Sequence, residues 1–223
     1  MKKFLYSIIL CLGFIGTGIC QDEQRPKDKF FFNEFYFNAN TSLPEHGNNN
    51  WGVGGGIGFV HVAFKEEYQN LVFGLELNSF ETYSSIYSDD KYTSYKNVQA
   101  SILAINIPLS IRFNFGEVKR FYIQGGFSAD LNLFSGGRGL YSSYGPTLQY
   151  PTITDQPTDT ISLRPKTSYS ARVGIGYKTI VKKRNLAIQL EYLYNLSPVI
   201  QGEMGGTFQS QYFRLNLVMS SKN

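Results

Sequence analysis

Residues 105–113 read INIPLSIRF and alternate large apolar side chains with small or polar ones. The apolar positions are Ile105, Ile107, Leu109, Ile111 and Phe113. This period of two is typical of a β-strand with one apolar face. Pro108 interrupts it, because proline has no amide hydrogen to donate to a neighbouring strand. We therefore expect Pro108, which shares its parity with Asn106 and Arg112, to point away from the apolar face and to distort the pairing beside it.

The same alternation recurs along the chain, and no long segment has a helical period. The alternating segments are 30–40, 51–63, 71–80, 101–113, 121–133, 169–179, 186–195 and 208–219. Short links at 64–70, 114–120 and 180–185 alternate with longer links at 41–50, 81–100, 134–168 and 196–207. This alternation of short and long links is typical of outer-membrane barrels. The sequence therefore predicts an all-β fold, an eight-stranded antiparallel up-and-down transmembrane β-barrel.

The composition of the polar face favours a membrane barrel over a soluble, lipocalin-like barrel, which would show the same alternation. A face in contact with water usually carries many lysines, whereas Lys178 is the only lysine well inside any of the eight segments. The apolar runs also have the length of tilted transmembrane strands. Aromatic residues near the segment ends fit the two interfacial girdles of such a barrel. They are Trp51, Tyr169, Tyr177, Tyr192 and Tyr194.

A few charges lie on the face predicted to line the lumen. They are Glu34, Glu76, Arg112, Asp130, Arg172, Lys178, Glu191 and Arg214. Because unpaired buried charges are costly, the four acids and four bases are expected to form compensating ion pairs. The lumen of an eight-stranded barrel is just wide enough to be filled by side chains, so we expect no continuous water pore. Glycines at 52, 54, 56 and 58 are expected to leave room for arginines from neighbouring strands.

The N-terminal segment predicts export. Lys2 and Lys3 precede an apolar run at 4–15, and small residues follow at Gly18 and Cys20. This order is typical of a cleavable signal peptide, here 1–20, and lipidation of Cys20 is the alternative. A short periplasmic segment at 21–29 and a barrel at 30–223 would follow. Both cysteines of the chain lie in the signal, so we expect neither disulfides nor thiol chemistry in the mature protein.

Tyrosines are concentrated in the links at 81–100 and 134–168. They are Tyr83, Tyr87, Tyr92, Tyr95, Tyr141, Tyr144 and Tyr150. A tyrosine presents a flat apolar ring with a hydroxyl at its edge, so these residues form a candidate binding surface for glycans or proteins. The alternative is that they pack on one another and on the barrel rim.

Little in the sequence indicates catalysis or a cofactor. The chain has two histidines, His46 in the first long link and His61 late in a segment, where a place near the membrane interface is expected. A barrel-mouth site of His46 with the loop acids Asp89, Asp90, Asp155 or Asp159 is supported by no spacing. We therefore expect no enzyme, no metal and no cofactor. The densest basic run, 182–184, is too short for a nucleic-acid patch.

Two stretches resemble the outer-membrane β-barrel family often called PorT-like or "porin family", which is common in Bacteroidota. In 102–133, Ile107-Pro108-Leu109 with Arg112 and then Gly125-Gly126 follow its pattern. In 171–199, a glycine-containing strand, a turn and a strand with Glu191 and Tyr194 do so too. The resemblance implies an integral outer-membrane protein of a Gram-negative bacterium, with no catalytic residues to transfer, and some members of that family serve in protein secretion.

Together these observations predict a non-enzymatic barrel with a filled lumen that acts as a membrane anchor, a scaffold or a subunit of an envelope or secretion assembly. The alternatives are a narrow channel or transporter for small solutes, and a barrel-mouth enzyme. The expected partners are outer-membrane lipid, the barrel-assembly machinery during insertion, and other envelope or secretion proteins.

Overall fold

The computed structural model describes residues 31–43, 51–63, 68–88, 93–116, 119–143, 153–181, 184–201, 207–208 and 211–220. The predicted signal peptide and the segment 21–29 lie outside these ranges. The strands are β1 Glu34–Ser42, β2 Gly52–Ala63, β3 Gln69–Ser88, β4 Thr93–Phe115, β5 Phe121–Ser143, β6 Ile153–Ser162, β7 Ser168–Val181, β8 Arg184–Asn195, β9 Ile200–Gln201, β10 Thr207–Phe208 and β11 Gln211–Ser220. Over the described residues, the structure contains no helix long and apolar enough to cross a membrane.

Eight of these strands close into an antiparallel barrel, which confirms the predicted fold class. The order is β1, β2, β3, β4, β5, β7, β8 and β11, and β11 pairs with β1 from Glu34–Ser220 to Ser42–Tyr212. We call the end where β1 begins and β11 ends the turn end. Strands β2, β4 and β7 also end there, and β3, β5 and β8 begin there. The opposite end is the hairpin end.

The hairpin end extends further than the sequence predicted. The stretches 81–100 and 134–168 were expected to be loops, and for most of their length this is wrong: β3 continues to Ser88, β4 begins at Thr93, and β5 continues to Ser143. The additional strand β6 pairs with the upper part of β5, while the lower part of β5 pairs with β7. Above the apolar belt the outer face of the barrel does not contact lipid, so its residues need not be apolar. These parts of the strands therefore lack the alternation of apolar and polar residues from which the other strands were predicted.

The barrel wall has an apolar outside. Outward side chains such as Leu109, Phe127, Ile175 and Leu215 are about half exposed although they are large and apolar. Aromatic rings border this belt at both ends. Phe121 and Tyr177 lie 4.9 Å apart at the turn end, and Tyr192 and Phe213 lie 5.3 Å apart towards the hairpin end. Trp51 is 56% exposed just before β2, also towards the hairpin end.

Pro108 points into the lumen, as its parity predicts, and lines a small internal cavity beside Arg112. On the β5 side, pairing continues through Pro108–Ser128 without a register shift. On the β3 side it stops after Phe73–Leu109 and resumes in the same register at Glu76–Asn106. The expected distortion is therefore present on one side only, and it is an interruption of the ladder rather than a bulge.

None of the four glycines expected to make room for arginines does so: Gly52, Gly54 and Gly56 face Ser42, Asn40 and Asn78, and Gly58, like Gly176 on β7, accommodates an aromatic ring. Tyr36 lies opposite Gly58 in the β1–β2 register, and Tyr122 lies opposite Gly176 in the β5–β7 register. A Cβ atom on Gly58 would overlap the Tyr36 ring, and one on Gly176 would overlap the Tyr122 ring. Each glycine thus leaves the space in which the tyrosine opposite lies flat along the wall, as in aromatic rescue of strand glycines.

We expect Gly176→Ala to destabilise the folded barrel by about 1–3 kcal/mol, the usual cost of overpacking a filled interior. Gly125→Ala, on the neighbouring strand, is the matched control, because its added Cβ would lie 4.0 Å from the nearest atom, the Arg172 carbonyl oxygen. Urea unfolding of the refolded barrel in lipid vesicles measures both variants. Equal stabilities for the two variants would contradict the proposed Tyr122–Gly176 fit.

Candidate functional site in the barrel lumen

The structure places all eight of the predicted lumen charges on the inner face of the barrel. The side chains of Glu34, Glu76, Arg112, Asp130, Arg172, Glu191 and Arg214 are buried, and Lys178 at the turn end is half-buried. They come from seven different strands. Within each strand, the alternation of side chains between the two faces determines which residues point inward. The register between strands then determines which of them meet.

Four of these residues form what we call the central network: Glu76 on β3, Arg172 on β7, Glu191 on β8 and Arg214 on β11. Arg172 donates through Nε and Nη2 to the two oxygens of Glu191, at 2.7 and 3.0 Å. Its Nη1 donates to Oε1 of Glu76 at 2.8 Å. Arg214 donates through Nη1 to Oε2 of Glu76 at 2.7 Å and lies 3.6 Å from Oε2 of Glu191. Two acids and two bases thus neutralise one another across the lumen.

A second ion pair lies nearer the turn end. Arg112 donates through Nη1 and Nη2 to the two oxygens of Glu34, at 3.0 and 2.9 Å. Such a two-pronged contact is the strong geometry for an arginine–carboxylate pair. The guanidinium also donates through Nε to Gln124 at 3.1 Å and lies 4.5 Å above the centre of the Tyr122 ring. Lys178, below it, donates to Oδ1 of Asn114 at 2.6 Å.

Asp130 departs from the expected pairing of acids with bases. Its carboxylate accepts hydrogen bonds from the Asn106 amide at 2.5 Å and the Ser128 hydroxyl at 2.8 Å, and from the hydroxyl of Ser170. In the described part of the chain it contacts no arginine or lysine. The prediction that every lumen acid has a cationic partner is therefore wrong here, because neutral donors on β4, β5 and β7 solvate this carboxylate instead.

The lumen is closed by apolar side chains at the hairpin end. We call this cluster the apolar plug: Phe80, Val98, Ala100, Ile102, Ala104, Ile161, Leu163, Val199, Ile200 and Phe208. The segment after β8 folds back over the barrel mouth, where Val199 donates its N–H to the Phe208 carbonyl at 2.9 Å. A polar lumen was expected throughout, so the plug was missed. The sequence does contain a signal for the plug, the continuous apolar run at 102–105, because such a run makes both faces of β4 apolar.

A smaller apolar cluster lines the lumen towards the turn end. It consists of Tyr36, Val60, Val62, Val72, Tyr122, Ala187 and Val218. The central network therefore lies between two apolar regions. The cavity beside Pro108 and Arg112 leaves room for about one water molecule. Side chains, rather than a column of water, fill this part of the barrel.

The predicted tyrosine surface is only partly described. Tyr92, Tyr144 and Tyr150 lie outside the described residues, as do His46 and Asp89, and of Tyr87 only the backbone pairing with Tyr95 is described. The rings of Tyr95 and Tyr141 lie 5.6 Å apart, and Tyr95 packs against the apolar plug. Tyr83 lies on the projecting part of β3, where partial burial and the nearby Glu81 carboxylate raise the pKa of its phenol.

The acidic and histidine side chains of the described residues are not grouped as metal ligands would be. None of their His, Asp and Glu side chains form a group of three that could bind a metal ion. His61 lies near the turn end, where its ring is 5.2 Å from that of Phe73. Asp155, one of the acids considered for a barrel-mouth site, instead pairs with Lys96 at 3.1 Å.

We expect Arg112→Gln to destabilise the barrel by about 3–5 kcal/mol, because it leaves the Glu34 carboxylate buried without its cation. The double variant Glu34→Gln/Arg112→Gln removes both charges and should recover at least half of that loss. Urea unfolding of the single and double variants in lipid vesicles measures the difference. A double variant no more stable than Arg112→Gln alone would show that the two residues are not energetically coupled.

The comparison with solved structures found matches of low sequence identity. Neisserial surface protein A is 10% identical over 86% of this chain and 98% of that chain, with a TM-score of 0.42. Ail, the attachment invasion locus protein of Yersinia pestis, is 11% identical over 83% and 94%, with a TM-score of 0.38. The translocator domain of the autotransporter NalP from Neisseria meningitidis is 8% identical over 96% and 98%, with a TM-score of 0.31. A comparison with curated protein sequences gave no significant match.

The family comparison is more decisive. The sequence pattern of the family described as "Outer membrane protein beta-barrel domain" matches residues 12–201 of the 223 residues. This match spans most of the barrel, including strands that supply every member of the central network except Arg214. With its closed eight-stranded wall and apolar belt, the chain belongs to the outer membrane protein β-barrel domain family.

Proposed function

We propose that the protein is a non-enzymatic, non-conducting barrel that anchors an extracellular β-sheet in the outer membrane and serves as a scaffold or a subunit of an envelope or protein-secretion assembly. The observation that carries this proposal is the filled lumen. The central network bridges opposite walls, and the apolar plug covers the mouth above it. In a barrel closed in this way, partners can be contacted by the outer wall and by the projecting strands, but not by the interior.

The energetics of the lumen disfavour the alternative of a solute channel. An ion entering from the hairpin end would have to cross the apolar plug, whose side chains, such as Phe80 and Ile102, cannot replace its water shell. It would then meet Arg172 and Arg214, whose bonds to Glu76 it would have to break. Breaking a buried ion pair costs about 3–5 kcal/mol. Neither step is compatible with steady conduction in the closed state.

The orientation follows from the general architecture of such barrels, in which short turns and both termini face the periplasm. We propose that the turn end is periplasmic, that the hairpin end is extracellular, and that cleavage of 1–20 by the export machinery precedes insertion. The finer resemblance to the PorT-like family rests on Ile107-Pro108-Leu109 and Gly125-Gly126. It supports a role in envelope assembly or secretion and a source in the Bacteroidota.

The projecting sheet of upper β3, upper β4, upper β5 and β6 is the proposed contact surface. On β6, Pro157 and the acids Asp155 and Asp159 protect the free edge against non-specific strand pairing. On the face of the sheet, Arg138 donates to Gln99 at 2.6 Å. Gln99 lies opposite Tyr83 in the β3–β4 register. An aromatic ring beside a guanidinium and an amide suits recognition of a protein or glycan.

Purified barrel reconstituted into planar lipid bilayers should give no steady ion current, because the lumen is filled at two levels. A large general porin in the same bilayer is the positive control. A second variant replaces the central network by serines (Glu76→Ser, Arg172→Ser, Glu191→Ser and Arg214→Ser). Because the apolar plug remains in this variant, its conductance separates the contribution of the network to closure of the lumen from that of the plug. Steady current through the unmodified barrel would instead support the narrow-channel alternative.

A photo-crosslinking residue at Tyr83, tested in native membranes, should join the barrel to a specific envelope protein. The same residue at Ile175, which lies on the apolar outer belt, is the matched control and should crosslink only to lipid or not at all. Mass spectrometry identifies the products. Absence of any protein crosslink from Tyr83 and from neighbouring positions on the projecting sheet would contradict the scaffold role while leaving the closed lumen unaffected.

A further inference from the structure

Two buried amide side chains border the cavity beside Pro108 and Arg112. Gln189 on β8 and Asn216 on β11 are 4% and 1% exposed, and they are register partners in the β8–β11 pairing. Nε2 of Gln189 and Oδ1 of Asn216 are buried, and no described residue forms a hydrogen bond with either atom. One donor and one acceptor without a protein partner therefore lie on neighbouring strands at the same cavity.

The orientation of the Gln189 amide is fixed by its neighbours. The Tyr122 hydroxyl donates to Oε1 of Gln189 at 3.1 Å, so this end of the amide faces Tyr122. The other end lies beside Gly174 on β7, where a Cβ atom would lie 3.0 Å from Nε2. Turning the amide over would place its NH2 group against Tyr122 and take away the acceptor of the phenol hydrogen. The end that carries Nε2 is therefore the one available to the cavity.

The orientation of the Asn216 amide is fixed by the central network. Its Nδ2 donates to Oε2 of Glu191 at 3.5 Å. A carboxylate accepts hydrogen bonds and does not donate them, so the nitrogen must face Glu191 and Oδ1 is left for the cavity. Buried amide groups are almost always bonded either to protein or to an ordered water, because burying them without a partner is costly.

We propose that the cavity is a binding site for one long-lived water molecule, which accepts a hydrogen bond from Nε2 of Gln189 and donates one to Oδ1 of Asn216. The cavity has room for about one water, and the carboxylates of Glu34 and Glu76, which also line it, are acceptors for the second hydrogen. Water suits the site because the two amides require a donor and an acceptor within one very small group.

The bound water completes a hydrogen-bonded path between the two charged layers of the lumen. At one end, Tyr122 bonds to Gln189 and lies under the guanidinium of Arg112, 4.5 Å from the ring centre. At the other end, Asn216 bonds to Glu191 of the central network. The water joins the two amides and so holds both in one orientation. This inference goes beyond the proposed function, because a closed lumen does not require water at this level.

The test uses the full mature barrel, isotope-labelled and folded in detergent micelles. Nuclear magnetic resonance should show a cross-peak between the side-chain amide protons of Gln189 and water, with the sign of the nuclear Overhauser effect that marks a long-lived water. Asn216→Leu should abolish this cross-peak, because it removes the acceptor of the water. The matched control Asn40→Leu makes the same substitution at a buried amide that does not line the cavity and should leave the cross-peak unchanged.

Urea unfolding in lipid vesicles gives an independent measurement. Gln189→Met and Asn216→Leu should each raise the equilibrium constant of unfolding about tenfold, because each leaves the remaining amide and the water without a partner. The double variant leaves no amide at the cavity. It should therefore raise the constant by much less than the product of the two single effects, since the shared water couples the two residues.

Three results would overturn the proposal: no cross-peak between Gln189 and water, a cross-peak with the sign of a rapidly exchanging water, or equal loss of the cross-peak in Asn40→Leu and Asn216→Leu. Single effects on unfolding that simply multiply would also overturn it. Coupling in unfolding without a cross-peak would indicate a direct bond between the two amides, and this too contradicts a water site. Circular dichroism of every variant verifies that the barrel is folded, and conductance measurements test the proposed function separately.

Discussion

Every feature of this protein depends on the requirement that no backbone hydrogen-bonding group be left unpaired in hydrocarbon. A sheet of eight strands can meet it only by pairing its first strand with its last, and β1 does so with β11 along its whole length. Closure then determines the interior. Alternate side chains of every strand point into a space too narrow for a water-filled pore, so each of them must pack against, or bond to, a side chain from another strand.

The interior is arranged in layers of different polarity. At the centre, the central network presents two carboxylates and two guanidiniums whose bonds cross the barrel. Apolar side chains lie on either side of it, those of the plug above and those around Val60 and Val218 below. Because the apolar regions exclude water, the electrostatic attraction within the network is stronger than it would be in solution, and the cost of separating the charges is correspondingly high.

Period-two alternation was sufficient to predict the fold, because lipid on one side of the wall and a filled lumen on the other impose opposite chemistry on successive residues. The same parity placed Arg214 and Glu76 on the inner face. It could not show which lumen residues meet, since Asp130 receives its hydrogen bonds from Asn106 and Ser170 only through the β4–β5 and β5–β7 registers. The upper strands and the plug were missed for a related reason. Outside the membrane the alternation disappears, and Val199 joins the core through a link that has no periodic signal.

The sequence positions of the central network have a consequence for the order of assembly. Glu76 on β3 receives Arg172 from 96 residues further along the chain and Arg214 from 138 residues further along. Before β11 arrives, the two carboxylates of the network face a single guanidinium, and the nascent barrel is both open at its edge and negatively charged inside. The last strand removes both defects together, because the strand that completes the hydrogen-bonded wall also carries Arg214. In a chain truncated before β11, Glu76 and Glu191 would therefore share Arg172 alone, and one carboxylate would have to take up a proton for the network to be neutral.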